Sequence, residues 1–432
     1  MTSPHDMNAS SVPEHLAIID ATAWPSVAAV PGGRLGRWRA GRAEARFAAA
    51  CANAGIRVDG DAPDVVVDYA EVFQRVAANG WVGLAEGYLA GEWRTPDSER
   101  LVQVLRKLVQ SGYVPSTLRV APARSHESGE VPPSLIQHYA GDGVSPFQGH
   151  FATGVPTRER VRVKSYARGA GHGNEPARHF VDVTEIAAPQ DEGTTRSDLA
   201  DAQARSVAML LQAAGVRDRS RVLEYPASGP AVTLAAGDKV ECVTNSPESA
   251  DALREQLTFA GVPGQVRVKR LGRGYDAAVS LEHLETLSDD DKAEFLTQLG
   301  SAVAPGGKVA IQTIVAGPEM NKAARAALAS LRAYVWPGLS YVSTETLARI
   351  VDRKTGLRII AETHAPQHLA TSLGLQRATF DSHLRDAAAD GFDPVYRRLW
   401  VWQLALRQAL AELRMIDLTQ LTLTARNRRG RR

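Results

Sequence analysis

Polar residues follow two consecutive apolar runs in the second half of the chain. The first run, residues 221–225, leads into a turn at residues 226–230, and the second run covers residues 239–243. A Rossmann-like fold holds an adenosyl ligand at the carboxyl edge of its sheet. It does so with a strand, a tight turn, a helix and a second strand that ends in a polar residue. The candidate cofactor-binding residues are therefore Glu224, Ser228, Gly229, Thr244 and Ser246.

Three other patterns offer weaker chemistry. His364 and His368 are four residues apart, as metal ligands on a helix would be, but Pro366 between them breaks the helical register, so we expect no metal site. The glycines at positions 169, 171 and 173 could cradle a phosphate, yet no helix follows at once, and a mobile surface loop is the favoured interpretation. Ser228 lacks the G-x-S-x-G frame of a nucleophile elbow.

Apolar runs alternate with amphipathic segments from Ser197 onward, which predicts an open α/β sheet. Ser246 and Pro247 supply a hydroxyl cap and a proline for the start of one helix, which Gly261 closes. A long helix is expected at residues 394–414. Strands are predicted at residues 221–225, 239–243, 265–268, 276–281, 308–314, 357–361 and, at the carboxyl end, 416–424.

The first 130 residues are Ala-rich and predict a smaller, mainly helical domain. Its strongest helix is expected at residues 98–109, where apolar residues recur at i, i+3, i+4 and i+7. Residues 65–67 predict a short strand, and a stretch rich in Pro and Ser from Pro115 to Pro133 predicts a linker. We therefore expect domains at residues 1–130 and 197–432, joined by a linker and loop region at residues 131–196.

Composition excludes several classes of protein. Apolar residues make up 44% of the 432 residues, so the chain can bury a core. The balance of 50 basic and 48 acidic residues leaves +2, which gives no argument for nucleic-acid binding. Two cysteines are too few for a disulfide framework and fit a reducing cytoplasm. Five arginines in the last seven residues could contact anionic lipid at the inner membrane surface, or form an inert basic end.

Taken together, several motifs resemble the cyclopropane-fatty-acyl-phospholipid synthase family, especially its actinobacterial fatty-acid methyltransferase branch. The most specific match is G-x-x-E-x-Y-x-x-G-x-W at residues 83–93, in what would be the family's lipid-binding domain. Order and spacing agree along most of the chain. The other matching stretches are residues 24–31, 138–139, 199–203, 280–285, 310–314, 334–338 and 394–400, with Gln420.

The resemblance implies a Rossmann-like class I methyltransferase domain that uses S-adenosylmethionine to methylate a double bond in the acyl chain of a membrane phospholipid. In that family a bicarbonate removes the proton that is lost after methylation. Glu285 matches one of the bicarbonate ligands, and Gln312 lies in the matching strand after P-G-G, so both are candidate catalytic residues. From the residues alone, a solvated acid at a helix start is the favoured interpretation of Glu285, because the other bicarbonate ligands are missing.

The chain also departs from the family pattern. Pro226, Ser228 and Pro230 replace three glycines, and the two prolines are expected to change the path of the turn and fill part of the cofactor site. No acid stands at residues 269–274 to reach the adenine, no Y-S-C-A motif is present, and Leu369 replaces a tyrosine. These departures predict weak binding of S-adenosylmethionine and a poorly held bicarbonate.

Two functions are compatible with these matches to the family and departures from it. The first is a lipid-modifying methyltransferase with impaired or altered activity. The alternative is a catalytically silent paralogue that binds lipid or serves as the partner of a second copy or of a related methyltransferase subunit. Tyr334, Trp336, Trp400 and Trp402 could line an acyl tunnel or belong to the ordinary core.

Overall fold

The computed structural model of the protein describes residues 13–32, 34–117, 131–173, 175–190 and 195–426. These residues contain eleven strands and fifteen α-helices. The strands are β1 Val66–Val67, β2 Trp93–Arg94, β3 Thr157–Lys164, β4 Arg178–Glu185, β5 Val222–Glu224, β6 Val240–Thr244, β7 Gln265–Val268, β8 Tyr275–Leu281, β9 Val303–Ala316, β10 Leu357–His364 and β11 Ile416–Ala425. The helices are α1 Pro25–Ala28, α2 Arg34–Asn53, α3 Glu71–Asn79, α4 Trp81–Ala90, α5 Ser98–Gln110, α6 Pro133–Ile136, α7 Arg196–Ala214, α8 Ala231–Ala236, α9 Pro247–Phe259, α10 Asp289–Ala302, α11 Lys322–Tyr334, α12 Thr344–Lys354, α13 Pro366–Ser382, α14 Leu384–Ala389 and α15 Pro394–Glu412.

Nine of these strands form one sheet in the order β3-β4-β10-β11-β9-β8-β5-β6-β7. The five strands from β9 to β7 are parallel, whereas β11 is antiparallel to both of its neighbours. The chain reverses its direction of winding at the neighbouring strands β5 and β8. In sheets of this kind the crevice at the reversal is where ligands bind. The predicted α/β class and the antiparallel terminal strand are confirmed.

The predicted strands all occur, with the largest differences at two ends. The strand expected at residues 308–314 extends over Val303–Ala316, and the one expected at residues 357–361 continues to His364. Ser246 accepts a hydrogen bond from the amide of Ser249 and caps α9, with Pro247 at its first position, as the sequence predicted. The extra residues 315–316 and 362–364 pair with β11, and the added amino end of β9 lies beside β8, where Val303 pairs with Tyr275. A local apolar pattern does not report such pairing.

Residues 131–196 contribute more to the sheet than the predicted linker suggests. The alternation at Val161 and Val163 does form a strand, β3, but β4 follows it and pairs in parallel with β10. The glycine loop at 169–173 connects these two strands, and its three glycines have positive φ angles. Most of the Pro- and Ser-rich stretch, residues 118–130, lies outside the described residues, as do the arginines of the tail beyond Arg426. The domain boundaries stay a prediction.

The motif at residues 83–93 is part of the core. Glu86 is fully buried and accepts hydrogen bonds from the Tyr334 hydroxyl at 2.7 Å and the Asn79 amide at 3.1 Å. The Trp93 indole donates to the carbonyl of Leu84 at 2.8 Å. The side chains of this motif therefore join the amino-terminal helices to α11 and α15 in one hydrophobic cluster, and the lipid-binding role that the resemblance implies for this domain stays a prediction.

A buried arginine organises the amino-terminal helices. The Arg75 Nε donates to both carboxylate oxygens of Glu92, at 2.8 and 2.9 Å. Its two terminal nitrogens donate to the carbonyls of Ser26, Val27 and Ala29 at 2.7 to 3.0 Å. These carbonyls surround the end of the short helix α1, so the guanidinium satisfies backbone groups that the helix leaves free.

The glycine at position 83 sets the distance between α3 and α4. A Cβ at Gly83 would lie 2.0 Å from the carbonyl oxygen of Arg75. We therefore expect Gly83→Ala to lower the free energy of unfolding by about 1 to 3 kcal/mol, because the two helices must separate. Gly41→Ala is the matched control, since nothing lies within 4 Å of its added Cβ in α2, and there alanine should stabilise by up to about 1 kcal/mol. Urea denaturation of both variants checks this, and equal stabilities would contradict the close approach.

Candidate active site

A cavity of about 370 Å³ opens at the carboxyl edge of the parallel strands, between the turn after β5 and the segment after β8. The turn residues at one end are small or polar, and α15 supplies a largely apolar wall at the other. The residues that line the cavity include Pro226, Ala227, Ser228, Gly229, Asn245, Ser249, Glu282, Glu285, Trp336, Tyr341, Gln376, Trp400, Gln403 and Arg407. A cavity of this size takes a small ligand or a length of acyl chain.

The turn after β5 passes close beneath the segment that precedes α7. Gly229 has φ 139°, and a Cβ there would lie 2.8 Å from the carbonyl oxygen of Val144. Glycine is required at this position because of both its backbone conformation and this contact. The cavity reaches the turn from Pro226 to Gly229 and Pro226 is part of its lining, so the expectation that the prolines fill part of the cofactor site stays a prediction. Pro230 stands at the start of α8 instead.

The five predicted cofactor residues divide into two groups. Ser228 and Gly229 line the cavity. Glu224 lies behind the turn, fully buried, where it accepts a long hydrogen bond from the Ser228 amide at 3.3 Å. Burial raises the pKa of Glu224 to about 7. Thr244 donates to the carbonyl of Ser246 at 3.0 Å, so these two shape the end of β6 while Asn245 between them faces the cavity.

The turn end of the cavity fits an adenosyl ligand in size and polarity. Asn245 and Ser249 line the wall beside Ser228, and the buried Ser228 hydroxyl has no hydrogen-bond partner within the chain. A buried polar group left without a partner is costly, and a polar ligand or water relieves that cost. No carboxylate follows β7, where Lys269 and Arg270 stand. The residues therefore fit the ligand class with fewer polar partners than the family pattern has.

Two buried carboxylates and one guanidinium meet in the middle of the cavity. Glu282 accepts hydrogen bonds from the Gln148 amide at 2.6 Å and from the Gln312 side chain at 3.0 Å. Its second oxygen lies 3.9 Å from a terminal nitrogen of Arg407. Glu285 accepts a hydrogen bond from the Thr313 hydroxyl at 2.7 Å and is 3% exposed. A solvated acid at a helix start is therefore the wrong interpretation of Glu285.

The buried surroundings of Glu282 and Glu285 favour the protonated form of each carboxyl group. Burial, followed by the neighbouring charge of Glu282, raises the pKa of Glu285 to about 7. Burial also raises the pKa of Glu282, while Arg407 and its hydrogen bonds oppose that rise. The two carboxylates share one guanidinium, and their negative charges repel each other. Ionisation of one acid therefore raises the pKa of the other. A buried carboxyl group that titrates near neutrality is suited to general acid–base chemistry.

Gln312 positions the acids from the centre of the sheet. Its amide nitrogen donates to the Gln148 carbonyl at 2.9 Å and to Glu282 at 3.0 Å. Its oxygen accepts from Gln420, which lies opposite it in the β9–β11 register, at 3.0 Å. Gln312 does not line the cavity. The structure therefore makes this predicted catalytic residue a positioning residue for Glu282.

The aromatic residues proposed for a tunnel are split between two roles. Trp336 and Trp400 line the cavity. Tyr334 instead bonds to Glu86, and the indole of Trp402 donates to the Ser330 hydroxyl at 3.0 Å inside the core. Leu369, which replaces the family's tyrosine, is fully buried in the main hydrophobic cluster and is not a lining residue.

The two histidines considered for a metal have protein partners. Nδ1 of His364 lies 2.6 Å from Asp417, and His368 lies within hydrogen-bond distance of the Ala187 carbonyl and the Phe151 amide. Burial lowers the pKa of His364, but its hydrogen bonds to Asp417 and Glu362 prevail and raise it to about 10. Among the described residues, no group of three potential ligands could hold a metal ion.

Sequence reasoning missed Arg407, Tyr341 and the part played by Glu282. Arg407 is 7% exposed, contacts the face of Trp336 at 5.4 Å and lies beside the Tyr341 hydroxyl. An arginine inside the apolar stretch Leu404–Ala411 was the available signal, because a charge on the buried face of a helix needs a partner. Which partner it finds depends on the packing of α15 over the sheet.

A family model described as mycolic acid cyclopropane synthetase matches residues 191–421, more than half of the chain. The tuberculostearic acid methyltransferase UfaA1 of Mycobacterium tuberculosis (strain ATCC 25618 / H37Rv) is 28% identical over 438 residues, which cover 94% of this chain and 96% of the relative. The family resemblance inferred from the motifs is confirmed.

Two solved structures are similar to parts of this chain. A structure of coclaurine N-methyltransferase bound to N-methylheliamine and SAH is 12% identical and has a TM-score of 0.54, covering 79% of this chain and 99% of that one. The cyclopropane synthase MmaA2 from Mycobacterium tuberculosis is 20% identical, with a TM-score of 0.46 over 52% of this chain and 85% of that one. The coclaurine N-methyltransferase structure supports the predicted Rossmann-like class I methyltransferase fold. In the part of the chain that the structure describes, no helix has the length and apolar character of a membrane span.

Proposed function

Because this chain belongs to the mycolic acid cyclopropane synthetase family, we propose that it is an S-adenosylmethionine-dependent C-methyltransferase acting on unsaturated acyl chains of membrane lipids. The observation that carries the proposal is that the turn after β5, a pair of buried carboxylates and an aromatic wall all line the same cavity. The relative UfaA1 is itself described as a tuberculostearic acid methyltransferase.

Asn245, Ser249 and the turn residues Ser228 and Gly229 would hold the cofactor at its end of the cavity. When bound, it supplies an electrophilic methyl group for the double bond of the acyl chain. Trp336 and Trp400 offer apolar faces to that chain, so water is excluded from the reacting carbons. Glu224 acts from behind the turn by holding the Ser228 amide.

Methylation of a double bond leaves a proton to be removed from the chain. The carboxylate of Glu285 is placed to accept it, because it is buried, lines the cavity and has a pKa of about 7. The electron pair of the broken C–H bond then closes the new carbon–carbon bond, and the product contains one more CH₂ unit than the substrate. Glu282, held by Gln148, Gln312 and Arg407, lies beside this base and raises its pKa. With Glu285 as the base, the reaction depends less on the bicarbonate whose other ligands this chain lacks.

The direct test uses the full chain with S-adenosylmethionine carrying a labelled methyl group and dioleoyl phospholipid vesicles. Mass spectrometry of the released fatty acids should show an acyl chain heavier by one labelled CH₂ unit. A heat-treated sample controls for non-enzymatic transfer. No labelled chain, together with measurable cofactor binding, would overturn the proposed reaction.

A second candidate function is a catalytically silent paralogue. The observation that favours it is the acid-free segment at 269–274 beside a turn with two prolines. In that case the partner is a related methyltransferase subunit or a second copy of this chain. Absence of both cofactor binding and product, with restored activity on mixing with an active relative, would support it.

We expect weak affinity for the cofactor. The loss of several polar contacts at about 1 to 1.5 kcal/mol each should raise the dissociation constant by two or more orders of magnitude over a site with the full set. Isothermal titration with S-adenosylmethionine measures it, and a micromolar constant would contradict the expectation. Asn245→Ala should weaken binding about tenfold further, whereas Gln298→Ala, on the surface of α10, should have no effect.

A further inference from the structure

The strand β3 forms one edge of the nine-stranded sheet, and β4 is its only neighbour among the described residues. It is eight residues long, and its outer side pairs with no strand in that part of the chain. In an antiparallel pair, alternate residues direct both the amide and the carbonyl group away from the neighbouring strand. About half of the backbone polar groups of β3 are therefore left to solvent. Neither β3 nor β4 contributes a residue to the candidate active site.

One face of the β3–β4 hairpin carries five cations. Residues that lie directly opposite each other in such a pair share a face, and Lys164 lies opposite Arg178. The other side of the hairpin belongs to the core, because Val163 and Val183 pack against the hydrophobic cluster that includes α12. The five cations are all exposed, and we call them the β3 basic face: Arg158, Arg160, Arg162, Lys164 and Arg178.

The chain supplies little negative charge to the β3 basic face. Within the described part of the chain, Asp182 is the one carboxylate that forms an ion pair with these cations. It lies 3.6 Å from Arg160, and both side chains are 69% exposed. Lys164 and Arg178 are directly opposite each other, where like charges are destabilising. A negatively charged partner would therefore stabilise this face.

The free edge and the charge pattern together select one kind of partner. A strand laid along β3 forms backbone hydrogen bonds with its outer groups and places every second side chain beside Arg158, Arg160 and Arg162. We propose that an acidic segment of another protein, with Asp or Glu at every second position, binds β3 as an added strand of the sheet. This interaction goes beyond the proposed reaction and does not depend on it.

Two other occupants fit the β3 basic face less well. In an antiparallel pair of two β3 strands, the arginines of one copy would lie opposite those of the other, so a second copy of this chain is repelled. Single-stranded nucleic acid is held by aromatic side chains on which successive bases stack. Phe180 is the exposed large aromatic residue of this face, at 52%, and the Arg160 guanidinium lies 5.0 Å from its ring centre. One ring partly covered by an arginine is a poor platform for several bases.

Fluorescence anisotropy with the full chain tests the proposed strand addition. The probe is a labelled peptide of four alternating Thr-Glu pairs, and the comparison is the same peptide with Lys in place of Glu. At low salt we expect the acidic peptide to bind and the basic peptide not to bind. Arg158→Gln with Arg162→Gln should weaken binding about fivefold to tenfold, because two exposed ion pairs are lost. The matched control is Arg217→Gln with Arg219→Gln, which removes the same charge from the exposed turn before β5 and should leave binding unchanged.

Hydrogen exchange shows where the peptide lies. The amides of alternate β3 residues should become protected when the acidic peptide binds, because they then donate to its carbonyl groups. Failure of the acidic peptide to bind, or binding without this protection, would overturn the added strand. An equal loss of binding in the control pair would mean that overall charge alone attracts the peptide, and would overturn the site. Tighter binding of a labelled oligothymidylate that is lost in Arg158→Gln with Arg162→Gln would assign the face to nucleic acid and overturn the proposal.

Discussion

Glu285→Gln should reduce formation of the methylated acyl chain by about 10² to 10⁴-fold. The amide has nearly the same shape and still lines the cavity beside Thr313, but it cannot accept a proton. In the unaltered protein the rate should rise with pH through about 7, because burial raises the pKa of Glu285 to that value and only the ionised form is a base. Initial rates between pH 5.5 and 8.5, measured with labelled cofactor, check both statements.

The matched control for this variant is Glu241→Gln. Glu241 is also a buried acid of the sheet, but it pairs with Arg267 and does not line the cavity. Its substitution should leave product formation unchanged. Affinity for S-adenosylhomocysteine should be the same in both variants as in the unaltered chain. Full activity of Glu285→Gln would show that another group takes the proton, and loss of cofactor affinity would show that the variant acts through the cofactor site.

Arg407→Met should have the second large effect, on both stability and pH dependence. Removing the guanidinium leaves Glu282 buried without its ion pair, with Lys292 as a remaining cation that acts on Glu285. This loss costs about 3 to 5 kcal/mol when a carboxylate is ionised. The pKa of each acid should rise further, so the rate should increase only at higher pH. An acid whose folded-state pKa is raised holds its proton in the folded protein, and its contribution to stability is lost as pH rises through that pKa.

Urea denaturation at pH 5 and at pH 8 separates charge from packing in this variant. The stability difference from the unaltered protein should be small at pH 5, which lies below the pKa of about 7 of Glu285, and large at pH 8. Arg407→Lys keeps the charge and should recover part of the loss at pH 8. An equal loss at both pH values would mean that Arg407 stabilises the protein through its contact with Trp336 instead.

Although β2 and β4 were not predicted, local patterns in the sequence were sufficient for β1, for the strands β5 to β11 and for the turn that follows β5. Each of these elements has an apolar run and a glycine, proline or cap at its end, and such signals act over a few residues. The motif order also identified the family. The motif at residues 83–93 was recognised from the same local information, whereas the burial of Glu86 and Trp93 where α4 meets α3 and α11 is visible only in the structure.

The candidate base and its neighbours were decided by the tertiary structure. Glu285 is an ordinary acid beside a helix start in the sequence, and Arg407 is one charge in an apolar helix more than a hundred residues away. Only the order of the sheet and the packing of α15 against its carboxyl edge bring these two groups to one cavity. Burial then moves the pKa of Glu285 to about 7. The sequence determines which groups can titrate, whereas their pKa depends on the solvent that the fold removes and the charges that it brings near.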